Sequence, residues 1–248
     1  MRRLSAFLLF IAAFVSCDKA PQVPVLSGRT VLEVDVEELS GLCLNAKGDA
    51  LLACGDDGDV KSISFKGETA PIWSADMDME GITLNPSTGD MYIAVEGKQE
   101  VLRLAAPDYD TPEVMFQITE AVEGRFFNDG LEGITYYKNG RLLVGSQKGA
   151  YIWLCKLDGT ILSRISIECF ASEVADLCYD PEGDYLWVLD SEKKMMYICS
   201  VRGELIQAYD IKDIENAEAI CVDRKNGCVW IGSDEKNPKL YRYGIIFM

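Results

Sequence analysis

Three glutamates stand at one place in a recurring segment: Glu80 before Gly81-Ile82-Thr83, Glu132 before Gly133-Ile134-Thr135, and Glu218 before Ala219-Ile220-Cys221. Two further copies begin Ser40-Gly41-Leu42-Cys43 and Ala175-Asp176-Leu177-Cys178, and carry their glutamate two residues earlier, at Glu38 and Glu173. Asp78 and Asn216 occupy that earlier position in the second and fifth copies. Side chains two apart on a strand share a face, so the spacing predicts all five glutamates around one end of one structure. Each copy then leads, through a second β-rich run, into a loop at the same end. These loops carry Asp56, Glu96, Asp190 and Asp234, and a longer connection after the second copy carries Asn128 and Asp129. Crowded carboxylates raise one another's pKa unless a cation lies among them. Oxygen donors of loose geometry suit calcium, which takes six to eight of them, better than octahedral magnesium. A second reading dispenses with metal: the glutamates cap backbone N–H groups and tie the copies together. At this level both stand, with Glu80, Glu132, Glu218, Glu38 and Glu173 as the metal candidates and the loop residues as a ligand rim.

Other chemistries are excluded. The chain has no histidine, which removes imidazole bases, His-ligated zinc and His-based triads. It contains no GxSxG element, glycine-rich phosphate loop or EF-hand spacing, and no catalytic residue is assigned. Of its nine cysteines, none form a CxxC pair. Cys43, Cys178 and Cys221 share a repeat position with Thr83 and Thr135, as expected of small side chains on packed strands. Lys and Arg number 24 against 40 Asp and Glu, a formal charge of −16. Nucleic acid is therefore not a partner to expect.

The elements that must position the acids follow from the repeats. Each segment start is followed by a glycine-containing turn (Lys47-Gly48, Thr88-Gly89, Asn139-Gly140, Glu182-Gly183, Asn226-Gly227) and then a β-rich run such as Tyr185 to Leu189. Such turns supply the positive φ of tight hairpins. A third strand follows in every copy and a fourth in all but the last. A period of roughly 40 to 50 residues built of short strands indicates propeller blades. The fold class is all-β: a five-bladed β-propeller of four-stranded antiparallel blades. The last copy lacks its outer strand, and Thr30 to Val36 alternates as a strand outside any repeat. That N-terminal strand is expected to close the last blade. Trp187 and Trp230 share one position on the second strand and are read as blade packing.

The N-terminus reads as a targeting segment. Arg2 and Arg3 precede an apolar run from Ala6 to Val15, about half the ~20 residues that span a bilayer. This is the pattern of a signal peptide over residues 1–16. Phe14-Val15-Ser16-Cys17 resembles a bacterial lipobox, so Cys17 is the expected lipidation site and residues 17–28 a tether. The remaining residues, 29–248, form the propeller domain.

The repeat starts, together with strands of the Leu186-Trp187-Val188-Leu189-Asp190-Ser191 type, resemble the SdiA-regulated family, distant relatives of NHL-repeat propellers. The resemblance covers residues 29 to 243. It implies a five-bladed propeller, an exported or membrane-anchored location and a bound calcium ion, carried here onto the repeat glutamates. Together these readings describe an exported, lipid-anchored, monomeric, calcium-binding module for a small-molecule or protein ligand, touching the membrane through its lipid alone. The alternative is a calcium-dependent hydrolase of lactonase or phosphoesterase type.

Overall fold

The computed structural model describes residues 23–119 and 130–247. The expected signal peptide, Cys17, Asn128 and Asp129 lie outside the described residues. β1 (Pro24–Glu33) is followed by β2 (Leu39–Leu44), β3 (Ala50–Gly55), β4 (Asp59–Ser64) and β5 (Thr69–Ser74), which form the first blade in that order. The second blade is β6 (Met79–Leu84), β7 (Met91–Val95), β8 (Glu100–Leu104) and β9 (Pro112–Gln117). The third is β10 (Leu131–Tyr137), β11 (Arg141–Ser146), β12 (Tyr151–Lys156) and β13 (Ile161–Ser166). The fourth is β14 (Asp176–Asp180), β15 (Tyr185–Asp190), β16 (Met195–Ser200) and β17 (Leu205–Asp210). β18 (Ala217–Asp223), β19 (Cys228–Ser233) and β20 (Lys239–Phe247) begin the fifth blade, and β1 completes it as the outermost strand.

The closing strand is longer than the alternation indicated. β1 pairs antiparallel with β20 from Pro24 opposite Phe247 to Glu33 opposite Lys239. Residues 24–28, expected to be tether, are therefore strand, and Val34 to Val36 lie beyond its end. A shift of register between Ser27 and Arg29 lets the strand continue past Gly28, whose φ is 56°. Such a bulge interrupts the alternation by which a strand is recognised.

The apolar core is divided among the five junctions between blades. Leu52, Val60, Ile82 and Met91 pack between blades 1 and 2, and Trp153 joins Tyr92 and Ile134 between blades 2 and 3. Leu143, Leu177 and Val188 fill the next junction, and Trp187, Ile220 and Ile231 the one after. Leu42, Leu51 and Trp230 close the ring between blades 5 and 1. Trp153, Trp187 and Trp230 are all fully buried, which bears out the reading of Trp187 and Trp230 as packing residues. Each contributes a large apolar surface that both neighbouring blades share.

Polar contacts near the axis repeat as well. The Tyr136 N–H donates to Thr83 Oγ1 at 2.9 Å and the Tyr179 N–H to Thr135 Oγ1 at 3.0 Å. The Val222 N–H reaches Cys178 Sγ at 3.4 Å. The shared Thr/Cys position thus satisfies an inner-strand amide of the next blade, a group that would be costly to bury unpaired.

Candidate functional site

The repeat glutamates are aimed by irregularities in the inner strands. Pairing of β6 with β7 shifts register between Met79 and Gly81, β10 with β11 between Leu131 and Ile134, and β18 with β19 between Ala217 and Ala219. Glu80, Glu132 and Glu218 lie in these bulges, which take a side chain out of the regular alternation and re-aim it. The fourth blade keeps regular pairing from Asp176 opposite Leu189.

The loops after the second strands meet the inner-strand starts at the same end, as expected. The Asp56 N–H donates to Glu38 O at 3.0 Å, Glu96 N–H to Asp78 O at 3.0 Å, and Asp234 N–H to Asn216 O at 2.8 Å. At this end, across the junction of blades 1 and 2, three carboxylates come together. Asp56, Asp78 and Glu80 each place one oxygen within 4.8 Å of the other two. Asp56 is exposed, while Asp78 and Glu80 are half-buried, so the cluster opens to solvent on the Asp56 side.

Glu96 stands behind it. Its Oε1 accepts the Gly130 N–H at 3.2 Å, and a Cβ on Gly130 would lie 2.3 Å from Glu96 Cγ. Only glycine fits that approach.

Electrostatics mark the same place. Burial pushes the Glu80 carboxyl up to about 9, helped by a hydrogen bond with Asp78 and the charges of Asp78, Glu96 and Asp56. Glu96 is pushed up to about 7, chiefly by burial and against the Gly130 amide. Asp56 rises to about 6 through partial burial, with Asp78 and Glu38 next in effect. Burial holds Glu132 well above its ordinary range, and Glu80, Glu96, Glu218 and Glu173 all push in the same direction. Glu218 rises to about 7 through burial, although the Ser191 hydroxyl donates to it at 2.7 Å and favours the anion.

The other residues singled out in the sequence are placed differently. Glu38 and Glu173 both precede their strands, yet they stand at the same end of the channel, Glu38 acting on the Asp56 carboxyl and Glu173 on those of Glu132 and Glu218. Glu38 is exposed with φ 47°, and Glu173 accepts the Glu192 N–H at 2.7 Å as the pin of a turn. Asp190 is fully buried and accepts from the Ser172 N–H at 2.7 Å and the Lys193 N–H at 2.8 Å. It fixes a loop and offers no open oxygen to the rim. Asp234 lies with Glu37, Glu38 and Glu235 along an adjoining acidic groove of about 580 Å³. Asp78 was visible as the residue filling the earlier position of the second copy, but its part in the cluster was not. Nothing in the repeat pattern said which of two acids two residues apart would converge with Asp56.

Three hard oxygen donors without sulfur or nitrogen form a set that fits calcium. Fully ionised, they would repel one another; in Glu80 and Asp56 that repulsion adds to burial in raising the carboxyl pKa.

A propeller with an acidic rim at one end of its channel is the class of protein that fold and site define. Within that class, the chain is similar to the SdiA-regulated family, whose profile matches residues 150–246. A Phytase-like family, described as "Esterase-like activity of phytase", matches residues 34–154, the part that contains Asp56, Asp78, Glu80, Glu96 and Glu132. A curated human protein, Echinoderm microtubule-associated protein-like 3, is 26% identical over 209 residues, 80% of this chain and 21% of that protein. The chain thus spans about a fifth of the length of the curated relative it matches. Among solved structures, a chain of the nidogen/laminin complex is 14% identical with a TM-score of 0.57, over 83% of this chain and 89% of that one. Virginiamycin B lyase from Staphylococcus aureus is 13% identical with a TM-score of 0.55, over 88% and 99% of the two chains. At these identities the likeness is one of fold.

Proposed function

We propose that this protein is an exported, lipid-anchored propeller that binds calcium at Asp56, Asp78 and Glu80 and acts as a non-catalytic module for a small-molecule or protein ligand. The convergence of three carboxylate oxygens within 4.8 Å of one another carries this reading. Asp56 follows β3, and Asp78 and Glu80 open the inner strand of the next blade. An ion held by them would join blades 1 and 2 at the rim and supply the positive charge that the cluster lacks. Glu96, fixed by the Gly130 amide, would support the cluster from behind. Export and lipidation of Cys17 rest on the basic and apolar order of the first residues and on Phe14-Val15-Ser16-Cys17.

A second reading, a calcium-dependent hydrolase, is favoured by one observation: the Phytase-like match covers every residue of the cluster. In that reading calcium would supply Lewis-acid polarisation of a substrate oxygen. Glu96, with a pKa pushed up to about 7, would be the carboxylate suited to accept a proton at neutral pH.

Thermal unfolding in EDTA and in calcium tests the site, because a ligand that binds only the folded state stabilises it. Calcium should raise the melting temperature of the wild type, and Asp78→Asn and Glu80→Gln should abolish the rise. Glu173→Gln should keep it. Without any calcium effect in the wild type, both readings fail. Calcium-dependent turnover of p-nitrophenyl phosphate, or of a lactone, lost in Glu96→Gln, would replace the binding module by the hydrolase. Incorporation of labelled palmitate, lost in Cys17→Ser, tests the anchor.

A further inference from the structure

The opposite end of the channel holds a cavity of about 550 Å³, within the size range of small-molecule sites. Its floor is the ring of Cys43, Thr83, Thr135, Cys178 and Cys221, one residue from each inner strand. Its walls include Leu44, Leu84, Tyr136, Tyr179 and Val222. The floor is polar by composition and apolar in behaviour. Thr83 and Thr135 already accept the Tyr136 and Tyr179 amides, and Cys178 takes that of Val222. Such a floor suits a hydrocarbon or aromatic body. Beyond this floor, toward the acidic rim, the Asp176 carboxylate lies buried, so entry is from the opposite face.

The mouth is basic on a chain of net charge −16. Lys47, Lys138, Arg224 and Lys225 line it. Lys138 is occupied by Asp184 at 2.7 Å, and Arg224 by the buried Asp180. Lys47 and Lys225, both exposed, make no ion pair among the described residues. They sit on the inner-strand turns of blades 1 and 5, which are neighbours in the ring. Facing them from the lining, outside an ion pair, is the single carboxylate of Glu182. The channel therefore runs from an acidic rim to a basic mouth. An anion is repelled at one end and attracted at the other.

We infer that this cavity binds a small amphiphilic acid, its apolar or aromatic body seated on the Cys/Thr ring and its single anionic head between Lys47 and Lys225. The inference is independent of the cation site on the other face.

The probe is 1-anilinonaphthalene-8-sulfonate, an aromatic sulfonate, compared with neutral N-phenyl-1-naphthylamine by fluorescence titration of the full chain. One saturable sulfonate site is expected. Lys47→Glu with Lys225→Glu should weaken the sulfonate roughly tenfold, since two exposed charges are reversed, and leave the neutral dye unchanged. Both lysines are exposed turn residues, and an unchanged melting temperature would verify that the variant is folded. Occupancy is located by N-ethylmaleimide: bound sulfonate should slow alkylation of half-buried Cys178 and leave exposed Cys169 at its original rate, read by peptide mass spectrometry. Absence of saturable binding overturns the inference, as does binding that leaves Cys178 unprotected. Binding that protects Cys178 but ignores the lysine reversals overturns it too, because the anion is then not recognised.

Discussion

The carboxylate of Asp176 accepts the Ile220 N–H across the junction of blades 4 and 5, Oδ2 to N 2.8 Å, while its Oδ1 accepts the Leu177 N–H at 2.7 Å. Asp176 stands where three other blades have Gly41, Gly81 and Gly133. Those glycines let the inner strands crowd together: a Cβ on Gly133 would lie 2.5 Å from Asp176 Cα. One blade thus supplies a side chain to the axis, and its neighbours leave room for it. Burial holds this carboxyl well above the usual range even though backbone amides favour its anion.

Asp176→Ala should strip both amides of their acceptor in a fully buried place. At about 1–3 kcal/mol for each orphaned group, the loss of stability should be roughly 3 kcal/mol. Urea denaturation measures it. A loss below about 0.5 kcal/mol, the range of inert surface changes, would mean that water replaces the carboxylate.

The Thr/Cys ring makes a graded prediction. Thr135→Val removes the acceptor of the Tyr179 amide while keeping volume and should cost about 1–2 kcal/mol. Thr135→Cys should cost less, because the chain already uses sulfur for this contact between Cys178 and Val222. Equal costs for the two variants would show that shape, and not the acceptor, matters at this position.

Glu218 sets a pH dependence. Its folded-state pKa is raised from 4.5 to about 7, mainly by burial, so the folded protein holds this proton more tightly than the unfolded chain. The stability it contributes is fully present below pH 4.5 and is lost as pH rises through about 7. In calcium-free buffer, Glu218→Gln should flatten the decline in melting temperature between pH 5 and 8. A variant that declines as steeply as the wild type would remove Glu218 as its source.

Deleting residues 24–33 removes the outer strand of the fifth blade and its whole ladder with β20. The ring then loses the pairing that joins the two ends of the chain. Apolar faces that each blade buries against its neighbours would open. The expected result is loss of cooperative unfolding in circular dichroism. A sharp transition would show that the remaining strands close the ring without it.

Much of this architecture is local and was legible in the chain. The five segment starts, the glycine turns and the alternating strands each depend on a few adjacent residues, as does the need for an N-terminal strand to complete a blade. The family profiles cover the same repeats, residues 34–154 and 150–246. The burial of Trp187 and Trp230 followed from their shared strand position.

What the tertiary structure decided was the aim of side chains. Bulges at Glu80, Glu132 and Glu218 break the two-residue period on which Glu38 and Glu173 had been grouped with them, and a bulge depends on the pairing partner, not on the strand's own residues. Asp78 became the third member of the acidic cluster because blade 1 delivers Asp56 beside it. Asp176 occupies a glycine position and reads in sequence as one more acid; only the closure of five blades around it makes it the bridge across the axis. The basic mouth was hidden for the same reason. Lys47 and Lys225 lie at opposite ends of the chain, and the ring brings their two blades side by side.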